Sequence, residues 1–134
     1  MAPKFLLEIA TPEKLVVSNE VSESVLPGAN GEIGVLPGHA ALLTEIDPGT
    51  LTYTMDGQTR RLAVGKGWAE VIATRVRVLV DSCERGEEID TARAEAAFKR
   101  AAERLASPKE DLDLARAANA LKRAEARLAA AKRN

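Results

Sequence analysis

Between Glu84 and Ala94 this chain changes character, and no single fold type accommodates what lies on both sides. Before that stretch the sequence is β-branched and broken by glycine and proline; after it, alanine, leucine and charged residues recur at helical spacing. The chain is therefore expected to have two parts, residues 1–85 forming a β unit and residues 86–134 a helical one. At the joint, Gly86 offers a flexible backbone position, Asp90 is a natural helix N-cap, and Ile89 is placed to staple against Ala94.

In the first part, Phe5, Leu7 and Ile9 alternate with Leu6 and Glu8, and Thr11-Pro12 ends that strand. Short β-prone runs follow at 15–17, 20–26, 32–36 and 41–46, divided by turn clusters such as Pro27-Gly28-Ala29-Asn30-Gly31. Asp56-Gly57 separates the runs 51–55 and 58–64, and this dipeptide suits the positive φ angles of a type I′ hairpin turn. Runs at 68–72 and 76–80 complete the series. Strands this short and frequent predict an antiparallel sandwich or barrel, with Trp68, the sole tryptophan, as a core anchor rather than a ligand platform.

The second part predicts two helices. From Asp90 to Leu105 the stripe Ala94, Ala97, Phe98, Ala101 and Leu105 gives a thin apolar face. Ser107 and Glu110 read as a capping box with Pro108 in the first helical position, so a second helix is expected from there. Along it Leu114, Ala117, Leu121, Ala124, Leu128 and Ala131 form a seam for the first helix. Because burying an alanine methyl gains about 0.8 kcal/mol against roughly 1.5 to 3 for a leucine, such a seam is weakly cohesive. Each helix keeps high intrinsic propensity, so the pair can part from its surroundings and stay helical.

Composition excludes several functions. A net charge of −1 gives no general attraction to nucleic acid, although Lys122, Arg123, Arg127, Lys132 and Arg133 make the end of the second helix basic, a solvated surface or a dock for an acidic partner. The single cysteine, Cys83, forms no internal disulfide, and its acidic neighbours Asp81 and Glu84 disfavour a thiolate, so its role is read as structural. His39, the single histidine, lacks companions for a metal site, and no catalytic or Walker-type signature is present. No run is long and apolar enough to span a bilayer, and neither a signal nor a transit peptide is read at the amino terminus. A soluble chain is expected, held at any membrane by another protein.

The run from Gly31 to Thr44, Gly-Glu-Ile-Gly-Val-Leu-Pro-Gly-His-Ala-Ala-Leu-Leu-Thr, followed by Pro48-Gly49, resembles the epsilon subunit of bacterial F-type ATP synthases (delta in mitochondria). Gly65-Lys66-Gly67-Trp68-Ala69-Glu70-Val71 is similar to that family's Gly-Gly-Phe/Ile-x-Glu-Val segment, with Lys66 and Trp68 as departures. Val78-Leu79-Val80-Asp81, Ile89-Asp90-Thr91-Ala92-Arg93-Ala94 and Ala120-Leu121-Lys122-Arg123-Ala124 extend the resemblance along the chain.

The resemblance implies a ten-stranded β-sandwich followed by an antiparallel two-helix hairpin, in a noncatalytic subunit of the central stalk. The sandwich would clamp the gamma subunit and rest on the c-ring, with Glu32 and His39 on the surfaces meeting ring and gamma. For His39 the plainer reading is a turn residue that satisfies backbone groups. The hairpin would regulate ATP hydrolysis by leaving the sandwich and reaching the alpha and beta subunits, with Lys122, Arg123 and Arg127 facing acidic segments of beta. Some members of the family bind ATP; the matching positions here are Glu84, Ile89, Asp90, Arg93, Ala94, Arg123 and Arg127. Arginine forks suit phosphate oxygens, while Asp90 as an N-cap and Arg93 paired to a nearby acid account for the same motif without nucleotide. The implied location is peripheral, on the cytoplasmic face of a bacterial membrane. A free-standing ATP-sensing module without a rotary partner is the alternative, and co-purification with gamma separates the two.

Overall fold

A computed structural model describes residues 2–107, 109 and 112–131 of the protein. Ten strands precede two helices. The strands are β1 (Phe5–Ala10), β2 (Leu15–Val21), β3 (Glu23–Gly28), β4 (Gly31–Val35), β5 (Leu42–Ile46), β6 (Gly49–Met55), β7 (Gln58–Val64), β8 (Gly67–Ile72), β9 (Arg75–Val80) and β10 (Cys83–Arg85). A 3-10 turn at Gly86–Glu88 leads into α1 (Thr91–Ala106), and α2 is Leu114–Ala131.

The strands run in the order β10-β7-β6-β3-β5-β8-β9-β1-β2, with β4 paired to β3. Only Gly28 opposite Ile46 joins β3 to β5, so the sheet folds there into two facing halves. All neighbours are antiparallel except β1 and β9. Period-two alternation places Phe5, Leu7 and Ile9 of β1, Ala69 and Val71 of β8, and Val76, Val78 and Val80 of β9 inward, against Leu26, Ile46, Leu51 and Leu62. The hairpin at Asp56-Gly57 forms as expected, with φ of 52° and 77° at the two residues and Met55 opposite Gln58.

Three expectations about the position or extent of these elements change. Trp68 is not a core anchor: its side of β8 faces outward, and it is 55% exposed. The run 20–26 is not one strand, because Ser22 turns its backbone N–H and hydroxyl to Thr54 O, and β2 ends at Val21. The second helix does not begin at Ser107. That residue closes α1 by donating to Glu103 O, while Asp113 caps α2 by accepting from Arg116 N at 3.1 Å. Pro108 and Glu110 lie outside the described residues, as do Lys132 and Arg133.

Within the hairpin α1 packs chiefly on α2, burying Ala94 and Ala101. Leu114, expected in the seam, is 58% exposed, and Leu121 and Leu128 are only partly buried. What α2 buries completely is alanine: Ala117, Ala124, Ala126 and Ala130. Of these, Ala126 and Ala130 meet Ala63 of β7 and Ile89, so α2 lies on the outside of the β6–β7 half.

Candidate functional site

The joint is built as its residue types require. Asp90 sits in extended conformation (φ −77°, ψ 100°), its carboxylate accepting from Arg93 N at 3.1 Å and its carbonyl from Ala94 N at 3.0 Å. Ile89 turns toward Ala63, Ala126 and Ala130. Gly86 is required by proximity: a Cβ there would overlap the carbonyl oxygen of Ala130, so only glycine lets α2 lie this close.

Among the described residues, two ion pairs fasten α2 to the sandwich from either flank of β7. On the β10 side, Arg127 Nε donates to Glu84 Oε1 at 2.6 Å; on the β6 side, Lys122 Nζ donates to Asp47 Oδ2 at 3.0 Å. Between them Thr50 Oγ1 donates to Ala126 O at 3.2 Å. Arg85 Nη2 anchors the joint to the opposite half by donating to Val16 O at 2.7 Å.

Of the nucleotide candidates, Glu84 and Arg127 are therefore joined to each other, and Ile89 packs beside them. Asp90 and Arg93 meet only through the cap; the Arg93 guanidinium is exposed and makes no ion pair among the described residues, contrary to the expected pairing with an acid. Ala94 is buried on α1. Arg123 lies elsewhere, at a cleft of about 920 Å³ between the two helices that Arg100, Arg104 and Arg116 also line. None of those four guanidinium groups has an ion-pair partner among the described residues. Sequence reading missed Arg100, Arg104 and Arg116, which line the cleft together with the acids Glu103 and Asp113; what gathers them is the way the two helices meet, which no local pattern encodes.

Cys83 is held as a thiol. Burial pushes it up to about 11, with Glu84 and Glu88 adding to the effect and Arg85 opposing it. His39 occupies the turn after Leu36, where its N–H donates to Leu36 O and Nδ1 lies 2.7 Å from Ala40 O. Glu32 is exposed on β4.

The other outer face, on β5, β8, β9, β1 and β2, carries no helix among the described residues. Trp68 lies opposite Leu79, Leu79 opposite Ala10, and Ala10 opposite Leu15, an apolar row across four strands. Leu43 (69% exposed) and Ile72 extend it. The pairs Arg75–Glu70 and Arg77–Glu8 lie between these apolar positions. An exposed apolar row that runs unbroken across four strands, bordered by charged pairs, has the character of a binding face on a small domain. Its signal was the parity of β8: with Ala69 and Val71 inward, Glu70 outward fixes Trp68 and Ile72 outward too.

The family model described as ATP synthase, Delta/Epsilon chain, beta-sandwich domain matches residues 4–86, and the one described as ATP synthase, Delta/Epsilon chain, long alpha-helix domain matches residues 87–132. Among curated relatives, the ATP synthase epsilon chain of Koribacter versatilis is 50% identical over 105 residues, covering 78% of this chain and 74% of the relative. That of Carboxydothermus hydrogenoformans is 50% identical over 106 residues, covering 79% of each. A chain of the Euglena gracilis mitochondrial ATP synthase OSCP/F1/c-ring structure superposes with a TM-score of 0.82 at 24% identity, covering 96% of this chain and 81% of that one. A chain of the Tetrahymena thermophila mitochondrial ATP synthase central stalk/c-ring structure gives 0.57 at 16%, covering 96% and 93%. At these identities the two structures establish a common fold.

Proposed function

The chain belongs to the ATP synthase delta/epsilon family, and on that premise we propose that it is a noncatalytic rotor subunit of the central stalk, coupling the c-ring to gamma and restraining ATP hydrolysis through its helices. The observation that carries this reading is the pairing of two opposite faces. One presents an uncovered apolar row through Trp68, Leu79 and Leu15; the other holds a helix by alanines and two ion pairs. The first face fits a permanent partner, which we take to be gamma, with His39 at its margin and Glu32 toward the ring. The solved assemblies that share the fold, an F1 with its c-ring and a central stalk with its c-ring, support a seat at that junction.

The second face supports regulation. When the hairpin leaves, Lys122 and Arg127 are freed from Asp47 and Glu84 and join Arg123 in facing acidic segments of the beta subunits, and alpha and beta are the surfaces it would reach. In this reading the chain lies at the membrane surface through its partners; no helix among the described residues is long and apolar enough to cross a membrane.

An ATP-sensing role is a finer part of the proposal. The guanidinium groups at the interhelical cleft, which have no ion-pair partner among the described residues, fit phosphates, with Arg123 as the group shared by motif and cleft. Glu84 and Arg127 are engaged with one another, so nucleotide contact through either requires that pair to rearrange. Titration with ATP should then move the amide resonances of Asp90 and Arg93 at the motif and of Arg100 and Arg123 at the cleft; all four unmoved at millimolar nucleotide retire the role.

The partner face is tested by Trp68→Asp with Leu79→Asp. Both positions are exposed, so the fold should hold while co-purification with gamma is lost. Retained binding by a folded variant refutes this face as the gamma dock.

A further inference from the structure

Two of the three cations proposed to dock the hairpin on an acidic partner, Lys122 and Arg127, are the groups that fasten it to the sandwich. Lys122 reaches Asp47 across 75 residues of sequence, and Arg127 reaches Glu84 across 43. The two acids stand on opposite flanks of β7, so α2 is clamped from both sides along a contact whose apolar part is alanine. An alanine contact contributes far less than a leucine one, which leaves the charges a larger share of the holding energy.

We infer that Asp47 and Glu84 form an electrostatic latch that stands in for the acidic partner, competing with it for Lys122 and Arg127. Docked, the hairpin has two of its own docking cations engaged with the sandwich; released, it frees both at once. The latch stands on the geometry alone, whereas the competition rests on the proposed docking to beta. Both pairs are partly exposed, with side-chain exposures of 49% and 26% for Lys122–Asp47 and 35% and 38% for Arg127–Glu84. Solvent screens such pairs, so each should bias docking modestly and in a salt-dependent way.

The experiment uses the full chain with Cys83→Ser and Ala126→Cys, where thiol labelling of the buried position 126 reports the undocked fraction. Asp47→Asn with Glu84→Gln should raise the labelling rate about 1.4- to five-fold per pair removed. High salt should speed the parent and leave the neutralised variant unchanged, and Asp47→Lys with Lys122→Asp should restore slow labelling. Labelling that stays constant across all of these overturns the latch.

In reassembled enzyme the neutralised chain should inhibit ATP hydrolysis more strongly at equal concentration. Unchanged inhibition despite faster labelling overturns the competition. Arg123→Ala with Arg127→Ala then locates the fault: inhibition lost there leaves the docking reading standing, and inhibition retained refutes docking itself.

Discussion

At residue scale, Cys83 offers a test with a definite sign. Its thiol is raised from an ordinary value of 9.0 to about 11. The unfolded chain therefore sheds this proton near pH 9, while the folded chain keeps it until about pH 11. The folded state's advantage is complete below pH 9 and falls as pH rises from 9 to 11. Thermal melts of wild type and Cys83→Ser should differ by a constant amount up to pH 9 and diverge from it across that window, to the wild type's disadvantage; a difference that stays constant contradicts the burial. The sequence placed acids beside Cys83 and so pointed in the right direction, but burial, the larger cause, depends on the packing of β10 against the core. Trp68 taught the reverse lesson. Residue type argued for the interior, and strand parity decided for the surface.

Among the elements, the start of α2 is the most exposed to test. If Asp113 is its cap, Asp113→Ala should cost about 1 kcal/mol of helix stability and speed hydrogen exchange at the amides of 115–117, while Ser107→Ala leaves them unchanged. Equal effects from both would contradict the assigned start. Elements with local signals were legible: the Asp56-Gly57 turn, the Asp90 cap and the alternation of β1 are each written within a few residues. Strand β10 was not, being only Cys83–Arg85 and defined by pairing with Leu62, Ala63 and Val64 of β7. The candidate site divides in the same way. Its motif residues could be read from the chain, whereas Asp47–Lys122 joins a turn before β6 to a helix and has no local signature.

For the whole molecule, function follows from what covers each side. One outer face is occupied by the chain's own helix, held by alanines, a hydroxyl and two ion pairs, while the other leaves Trp68, Leu79, Leu43 and Leu15 to solvent. The proposed rotor role uses this asymmetry, since a permanent seat and a detachable regulator cannot share one surface. The proposed seat puts Trp68 under gamma in the assembly. Because the chain has a single tryptophan, incorporating 5-fluorotryptophan places one fluorine resonance at the centre of the apolar row. That resonance should report a solvent-accessible ring in the free chain and a buried one, insensitive to D2O exchange of the solvent, once gamma is bound; a resonance that remains solvent-sensitive in the bound complex would contradict the account.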